Sequence, residues 1–199
     1  MRYLLSLLIP LAVIAATLAA CGPLLRSTTL RRIEHGLFDV AKRFHTDRKI
    51  ALFEDLSALG SSTLVTVVAA AGAIGLVLGG RARDGVLLGA VCALSAATGT
   101  WMKRVTRRQR PGSSTGATFG SSFPSSHTLM ATACWLTVGG LVAETTSGAL
   151  HGWVLAVAVA MACAVGLARI FLHVHYLSDV VAGWALGAAW AAAAMLARG

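Results

Sequence analysis

Six stretches of this chain carry no Asp, Glu, Lys or Arg: Tyr3–Leu25, Leu56–Gly80, Gly85–Met102, Pro111–Ala143, Thr145–Ala168 and Val180–Ala197. A helix crossing a bilayer needs about 20 largely apolar residues, and in lipid the backbone must satisfy its own hydrogen bonds. Of 199 residues only 13% are charged and 56% are hydrophobic, with a mean hydropathy of +0.73. A soluble domain has roughly 25% charged residues, so this chain lacks the polar surface to cover a water-soluble globule. That excludes a soluble enzyme, a disordered tail and a DNA-binding module. The pattern predicts an all-α fold: a six-transmembrane-helix bundle in one domain over residues 1–199. The spans fall at about 3–21, 61–79, 85–102, 127–143, 152–170 and 179–197.

The uncharged run from Pro111 is too rich in turn formers to be one helix. Gly112, Ser113, Ser114, Thr115 and Gly116, then Gly120, Ser121, Ser122, Pro124, Ser125 and Ser126, read as loop. The last span is mostly Ala, Gly and Trp, and small residues permit close helix approach in lipid.

Net charge is +9, from 17 Lys and Arg against 8 Asp and Glu. The basic residues lie in short segments between spans, which argues against nucleic acid and for a membrane surface or an anionic substrate. From Arg26 to Lys49, Ile33, Leu37, Val40, Ala41 and Phe44 recur at spacings of three and four. That fits an interfacial amphipathic helix between the first and second spans, or equally a charged linker anchored on anionic lipid. Cys21, Cys92, Cys134 and Cys163 stand singly in apolar stretches, with no metal-ligand spacing and no disulfide framework. Leu18-Ala19-Ala20-Cys21 has the look of a lipoprotein cleavage site, but Arg2 alone charges the segment before it, so it reads as a span. Cys163 and Arg169 have the spacing of a thiol phosphatase, yet Cys163 is expected as a buried, protonated thiol inside an apolar helix.

The polar residues that matter sit at span ends. Lys103-Arg104-Val105-Thr106-Arg107-Arg108-Gln109-Arg110-Pro111 follows the third span, and Pro124-Ser125-Ser126-His127 opens the fourth. Arg169 through His173, His175 and Asp179 links the fifth to the sixth. In an antiparallel bundle these three segments meet at one membrane face. Fixed cations around a small site suit a multiply charged oxyanion, and arginine matches phosphate oxygens as a fork. Phosphoryl transfer depends mainly on positioning and on stabilising charge at the equatorial oxygens. One neutral histidine can attack and another donate a proton. Asp179, four residues after His175, can hold one ring nitrogen. The helix opening at Ser126–His127 offers free N–H groups to a phosphate. No metal-binding cluster is expected, so the cations would serve in a metal's place, and the set reads as a metal-free phosphatase at the lipid interface, with no cofactor. A small transporter is the remote alternative, but that would place its charges at mid-depth.

These segments resemble the three signature motifs of the type 2 phosphatidic acid phosphatase superfamily: Lys-x6-Arg-Pro, Pro-Ser-Gly-His and Ser-Arg-x5-His-x3-Asp. Lys103 to Arg110-Pro111 matches the first in full. Pro124-Ser125-Ser126-His127 matches the second with Ser126 for glycine, and Arg169, His175 and Asp179 match the third with Ala168 for the leading serine. The resemblance implies that His175 attacks phosphorus to give a phosphohistidine, Asp179 orients it, and His127 protonates the leaving group and then activates water. It implies that Lys103, Arg110, Arg169, Ser125, Ser126 and nearby N–H groups bind the phosphate. Arg104, Arg107 and Arg108 are expected as headgroup anchors, His173 as a packing residue, and His35, His45 and His151 as bystanders. The resemblance points to undecaprenyl diphosphate as the favoured substrate. Phosphatidylglycerol phosphate, phosphatidate, a lipid A phosphate, or phosphotransfer to a second lipid are the alternatives. It also implies a bacterial inner-membrane enzyme with an outward-facing site. The positive-inside rule opposes that orientation: thirteen Lys and Arg lie on the site-side segments and four on the others.

Overall fold

The computed structural model describes residues 2–111 and 120–199; the expected loop at Gly112–Gly116 lies outside them. Among the described residues there are eight helices and no strand: α1 (Arg2–Arg26), α2 (Thr28–Arg43), α3 (Asp47–Ala58), α4 (Ser62–Leu78), α5 (Ala82–Thr106), α6 (Ser126–Ala143), α7 (Gly148–Phe171) and α8 (Leu177–Arg198). The starts of α2, α3 and α4 are set locally. Ser27, Thr46 and Ser61 each accept a hydrogen bond from the backbone N–H three residues on, satisfying one of the open donors of a first turn.

Five helices are long and apolar enough to cross a membrane: α1 from Leu5, α5, α6, α7 and α8. The expected second span is the exception. With 17 residues, α4 is about 26 Å long, short of the ~30 Å of a hydrocarbon core. It reaches span length only when joined to α3 across a 42° bend. The chain is therefore a multi-pass integral membrane protein, with five candidate spans among the described residues, or six if the bent pair counts as one.

The basic segment from Arg26 to Lys49 runs from the end of α1 through α2 into the start of α3, with breaks at residue 27 and at residues 44–46. Its amphipathic reading holds for α2, with most of the apolar stripe turned away from the bundle. Glu34, Phe38 and Ala41 are buried against the bundle, while Ile33, Leu37, Val40 and Phe44 stay exposed. Of the five apolar residues read from the sequence, only Ala41 docks. The other four form an outer apolar face suited to lipid.

Helix α6 is the hub, lying against α4, α5, α7 and α8. Its approach to α8 depends on the Gly183-x3-Gly187 pair. A Cβ on Gly187 would stand 2.6 Å from the Leu129 carbonyl oxygen and the Thr132 Cβ. One on Gly183 would stand 3.0 Å from the Ser125 carbonyl oxygen. Small residues on this face let the two backbones nearly touch, which sets the first turn of α6 beside the first turn of α8. On the outer side Val13, Ile14, Leu18, Cys21 and Leu25 of α1 pack on a core of Met102, Phe123, Leu129, Ala182 and Leu186. Helix α1 runs unbroken through Cys21. Cys163, expected buried, is exposed on α7: the middle of that helix is apolar on every face, and among the described residues nothing covers this one.

Candidate active site

The three motif segments end at one rim of the bundle. The last turn of α5 carries Lys103, after which Arg107 takes a left-handed conformation (φ 46°) and turns the chain. A left-handed residue with a side chain costs roughly 1–2 kcal/mol, and hydrogen bonds on both sides hold it. Thr106 Oγ1 donates to the Met102 carbonyl (2.9 Å) or the Phe123 carbonyl (3.0 Å), Ser122 N to the Arg108 carbonyl (2.8 Å), and Ser122 Oγ to the Gln109 carbonyl (3.1 Å). Residues 106–110 are thereby laid along residues 121–123, so that Arg110 and the start of α6 come from adjacent strands of chain.

Helix α6 begins at Ser126 after the fully buried Ser125. The Ser125 side chain makes no cap bond; its hydroxyl accepts from Thr128 Oγ1 at 3.0 Å. The first-turn amides are thus left for an anion, as a helix N-terminus favours. Ser125 N donates to the Asp179 carbonyl at 3.0 Å, a direct backbone tie between the second and third motifs. Ser126, which stands where the motif has glycine, has its hydroxyl 3.5 Å from the place a Cβ on Gly99 of α5 would take, an ordinary contact distance.

Arg169 stands in the last turn of α7, and its Nη1 donates to the buried Ser57 Oγ of α3 at 2.7 Å. Its Nε is buried with no hydrogen-bond partner among the described residues, a donor suited to an oxyanion. His175 lies in the connection before α8. Its Nδ1 is 3.4 Å from Asp179 Oδ2, with both side chains almost wholly buried. The sequence reading set the two one helical turn apart. The structure uses a capping box instead: Asp179 is the third residue of α8, and its Oδ2 accepts the backbone N–H of Tyr176 at 2.9 Å. Asp179 so both starts the helix and faces the imidazole.

Lys103, Arg110, His127, Arg169 and His175 lie within one electrostatic neighbourhood, His127 feeling each of the other four. Burial pushes the His175 imidazole below its ordinary value against the opposing pull of Asp179, while Arg169 and Arg110 act in the same sense as burial. A neutral imidazole is the form with a lone pair. Burial also lowers Arg110, against the pull of Asp179. No group of three or more His, Cys, Asp or Glu able to hold a metal occurs among the described residues.

One arginine expected as a headgroup anchor is something else. Arg108 is 13% exposed and sits between two buried carboxylates. Its Nη1 is 2.6 Å from Asp179 Oδ1 and its Nη2 is 2.9 Å from Glu34 Oε2. The guanidinium lies 4.2 Å over the Tyr176 ring. Leaving one member of such a buried pair alone costs about 3–5 kcal/mol. Arg104 and Arg107 are exposed, consistent with anchoring. His173 packs as expected: its ring nitrogen meets the Phe38 carbonyl at 3.0 Å, and its ring lies 4.8 Å from that of His45. Glu34, Arg108 and Ser57 are the site residues that sequence reasoning missed.

A family model described as the PAP2 superfamily matches residues 84–199, the part of the chain that holds all three motifs. The chain belongs to the PAP2 superfamily. Its fold is similar to a solved structure, the transmembrane PAP2-type phosphatidylglycerolphosphate phosphatase of Bacillus subtilis. That match has a TM-score of 0.78 and 20% identity, over 95% of this chain and 94% of the other. A search of curated proteins finds no match. This PAP2 protein is a membrane phosphatase acting on lipid phosphates.

Proposed function

We propose that this PAP2 protein hydrolyses a membrane lipid phosphate through a phosphohistidine, without a metal ion, as one catalytic domain. The observation that carries the reading is the pairing of His175 with Asp179 amid Lys103, Arg110, Arg169 and His127. With Nδ1 turned to Asp179, Nε2 is the nitrogen that attacks phosphorus. The P–Nε2 bond forms as the P–O bond to the lipid breaks, and His127 gives its proton to the departing oxygen. Water then attacks the phosphohistidine, His127 takes the water's proton, and inorganic phosphate leaves. Lys103, Arg110, Arg169, Ser125, Ser126 and the first amides of α6 hold the equatorial oxygens.

The substrate's tail has a place beside this rim. Helices α2, α3 and α7 border an apolar groove of about 610 Å³, lined by Val40, Phe44, Leu52, Phe53, Leu167 and Phe171. The likeness to a phosphatidylglycerolphosphate phosphatase favours that lipid as the first to test. The compact chain, with little beyond its helices to recognise a large headgroup, favours undecaprenyl diphosphate as the second. The site faces outward from a bacterial inner membrane in this reading, on the family resemblance and against the charge count. The test is a panel of phosphatidylglycerol phosphate, undecaprenyl diphosphate, phosphatidate and a lipid A phosphate, compared by kcat/KM in excess EDTA. Release of inorganic phosphate from at least one member supports the reading. Strict dependence on added Mg²⁺, or transfer of the phosphoryl group to another lipid with no phosphate released, contradicts it.

A further inference from the structure

The first turn of α8 carries Asp179, and what fixes that turn comes from far away in the sequence. Glu34 of α2 is 1% exposed. Its Oε1 accepts both the backbone N–H of Ser178 (3.1 Å) and the Ser178 hydroxyl (2.5 Å). It therefore supplies in trans the cap that the start of a helix needs. Its Oε2 takes Arg108 Nη2, while Arg108 Nη1 spans to Ser178 Oγ (2.6 Å) and Asp179 Oδ1 (2.6 Å). The other Asp179 oxygen faces His175. A continuous chain of charge-assisted bonds thus runs from α2 to Asp179, whose Oδ2 stands 3.4 Å from the imidazole Nδ1.

Charge balance gives the chain a purpose beyond packing. A guanidinium with one carboxylate would neutralise Asp179 and weaken its hold on His175. Shared between Glu34 and Asp179, Arg108 leaves the trio with one net negative charge, and that charge is available to the imidazole. The opposing groups around His175 are Arg169 and Arg110.

We propose that Glu34, acting through Arg108 and Ser178, is a positioning residue that holds Asp179, and through it His175, in the geometry for attack. Docking of α2 then completes the active site. This rests on the reading of His175 as nucleophile and Asp179 as its orienting partner. Glu34 touches no substrate; its effect falls on kcat.

The experiment compares E34Q, E34D, S178A and D179N in detergent, on whichever lipid phosphate the panel selects, with rates expressed per folded protein. E34Q is expected to lower kcat roughly 10- to 100-fold, the scale of a small misplacement at a reacting centre, with KM within about twofold of wild type. Its acid limb moves to lower pH, because a negative charge that favours the imidazolium is lost. E34D, which keeps the charge, recovers part of the loss. If E34Q does not fold, S178A carries the test, with a several-fold drop in kcat at unchanged KM. Wild-type kcat and acid limb in folded E34Q, or in S178A where E34Q fails to fold, overturn the proposal if D179N is inactive. A loss in E34Q that disappears on correction for folded protein overturns it too. Full activity in D179N instead overturns the underlying reading of the His175–Asp179 pair.

Discussion

The two ends of the bundle use the same kinds of side chain in opposite ways. At the end away from the site, Asp84 is buried between Arg81 Nε (2.7 Å) and Arg198 Nε (2.6 Å). Arg198 also pairs with Glu144, and Arg83 donates to the Ala197 carbonyl. These bonds tie the start of α5 to the ends of α6 and α8. Charges of both signs meet in fixed pairs, and the result is a clasp. At the site end the Glu34–Arg108–Asp179 trio is locked in the same manner, but Lys103, Arg110 and Arg169 gather beside it with two histidines. Three cations crowded near one another, partly out of water, are costly in the absence of an anion. A clasp balances its charge internally, whereas a phosphate site stores an imbalance that the substrate removes.

This contrast can be broken at either end. The largest effect is expected at His175: H175A should remove turnover altogether, at least about a thousandfold, because no other group supplies the nucleophile. Thermal melting in detergent should show the variant still folded. H127A comes next, with a loss of about 10²- to 10⁴-fold in kcat, the usual worth of a general acid; an unaltered rate would remove His127 from the mechanism. At the clasp, D84N should leave kcat per folded protein unchanged while lowering stability. The cost is about 1–3 kcal/mol, below that of a fully buried pair because both arginines keep some contact with water. A loss of kcat without a loss of stability would erase the distinction between the two ends. The smallest effect is in the pH profile. His175 must be neutral to attack, and burial sets its value below the ordinary ~6.5. Activity should therefore persist as pH falls through that range and decline only below it. An acid limb at or above the ordinary histidine value would count against a buried nucleophile.

What could be read from the chain alone follows from how each feature is encoded. The spans are written in runs of uncharged residues, and α5, α6, α7 and α8 fall where those runs predict, within a few residues. The motif residues are written in spacing, and Lys103, Arg110, His127, Arg169, His175 and Asp179 come to one rim because antiparallel spans place alternate loops together. Arg108 was hidden by company: Arg104, Arg107 and Arg108 look alike in a basic run, and only the left-handed turn at Arg107 sends the third inward. Glu34 was hidden by its surroundings, an acid, like Asp39, in a basic amphipathic segment whose apolar stripe drew attention to Ile33, Leu37, Val40 and Phe44. Those four face outward, and the less conspicuous Glu34–Phe38–Ala41 row docks. Ser57 carried no local signal, since its bond to Arg169 exists only when α3 lies along α7. Periodicity identifies an apolar face but not whether protein or lipid will cover it.

The central claim is that a phosphoryl group rests on the imidazole of His175 during turnover. It is tested most directly by mixing the protein with a lipid carrying ³²P at its terminal phosphate, quenching in alkali and separating the protein. The account predicts label on the wild-type chain that survives alkali and is lost in acid, as a phosphohistidine is, mapping to the peptide that holds His175 and absent in H175A. Label of the same kind in H175A, or turnover by that variant at the wild-type rate, would contradict it.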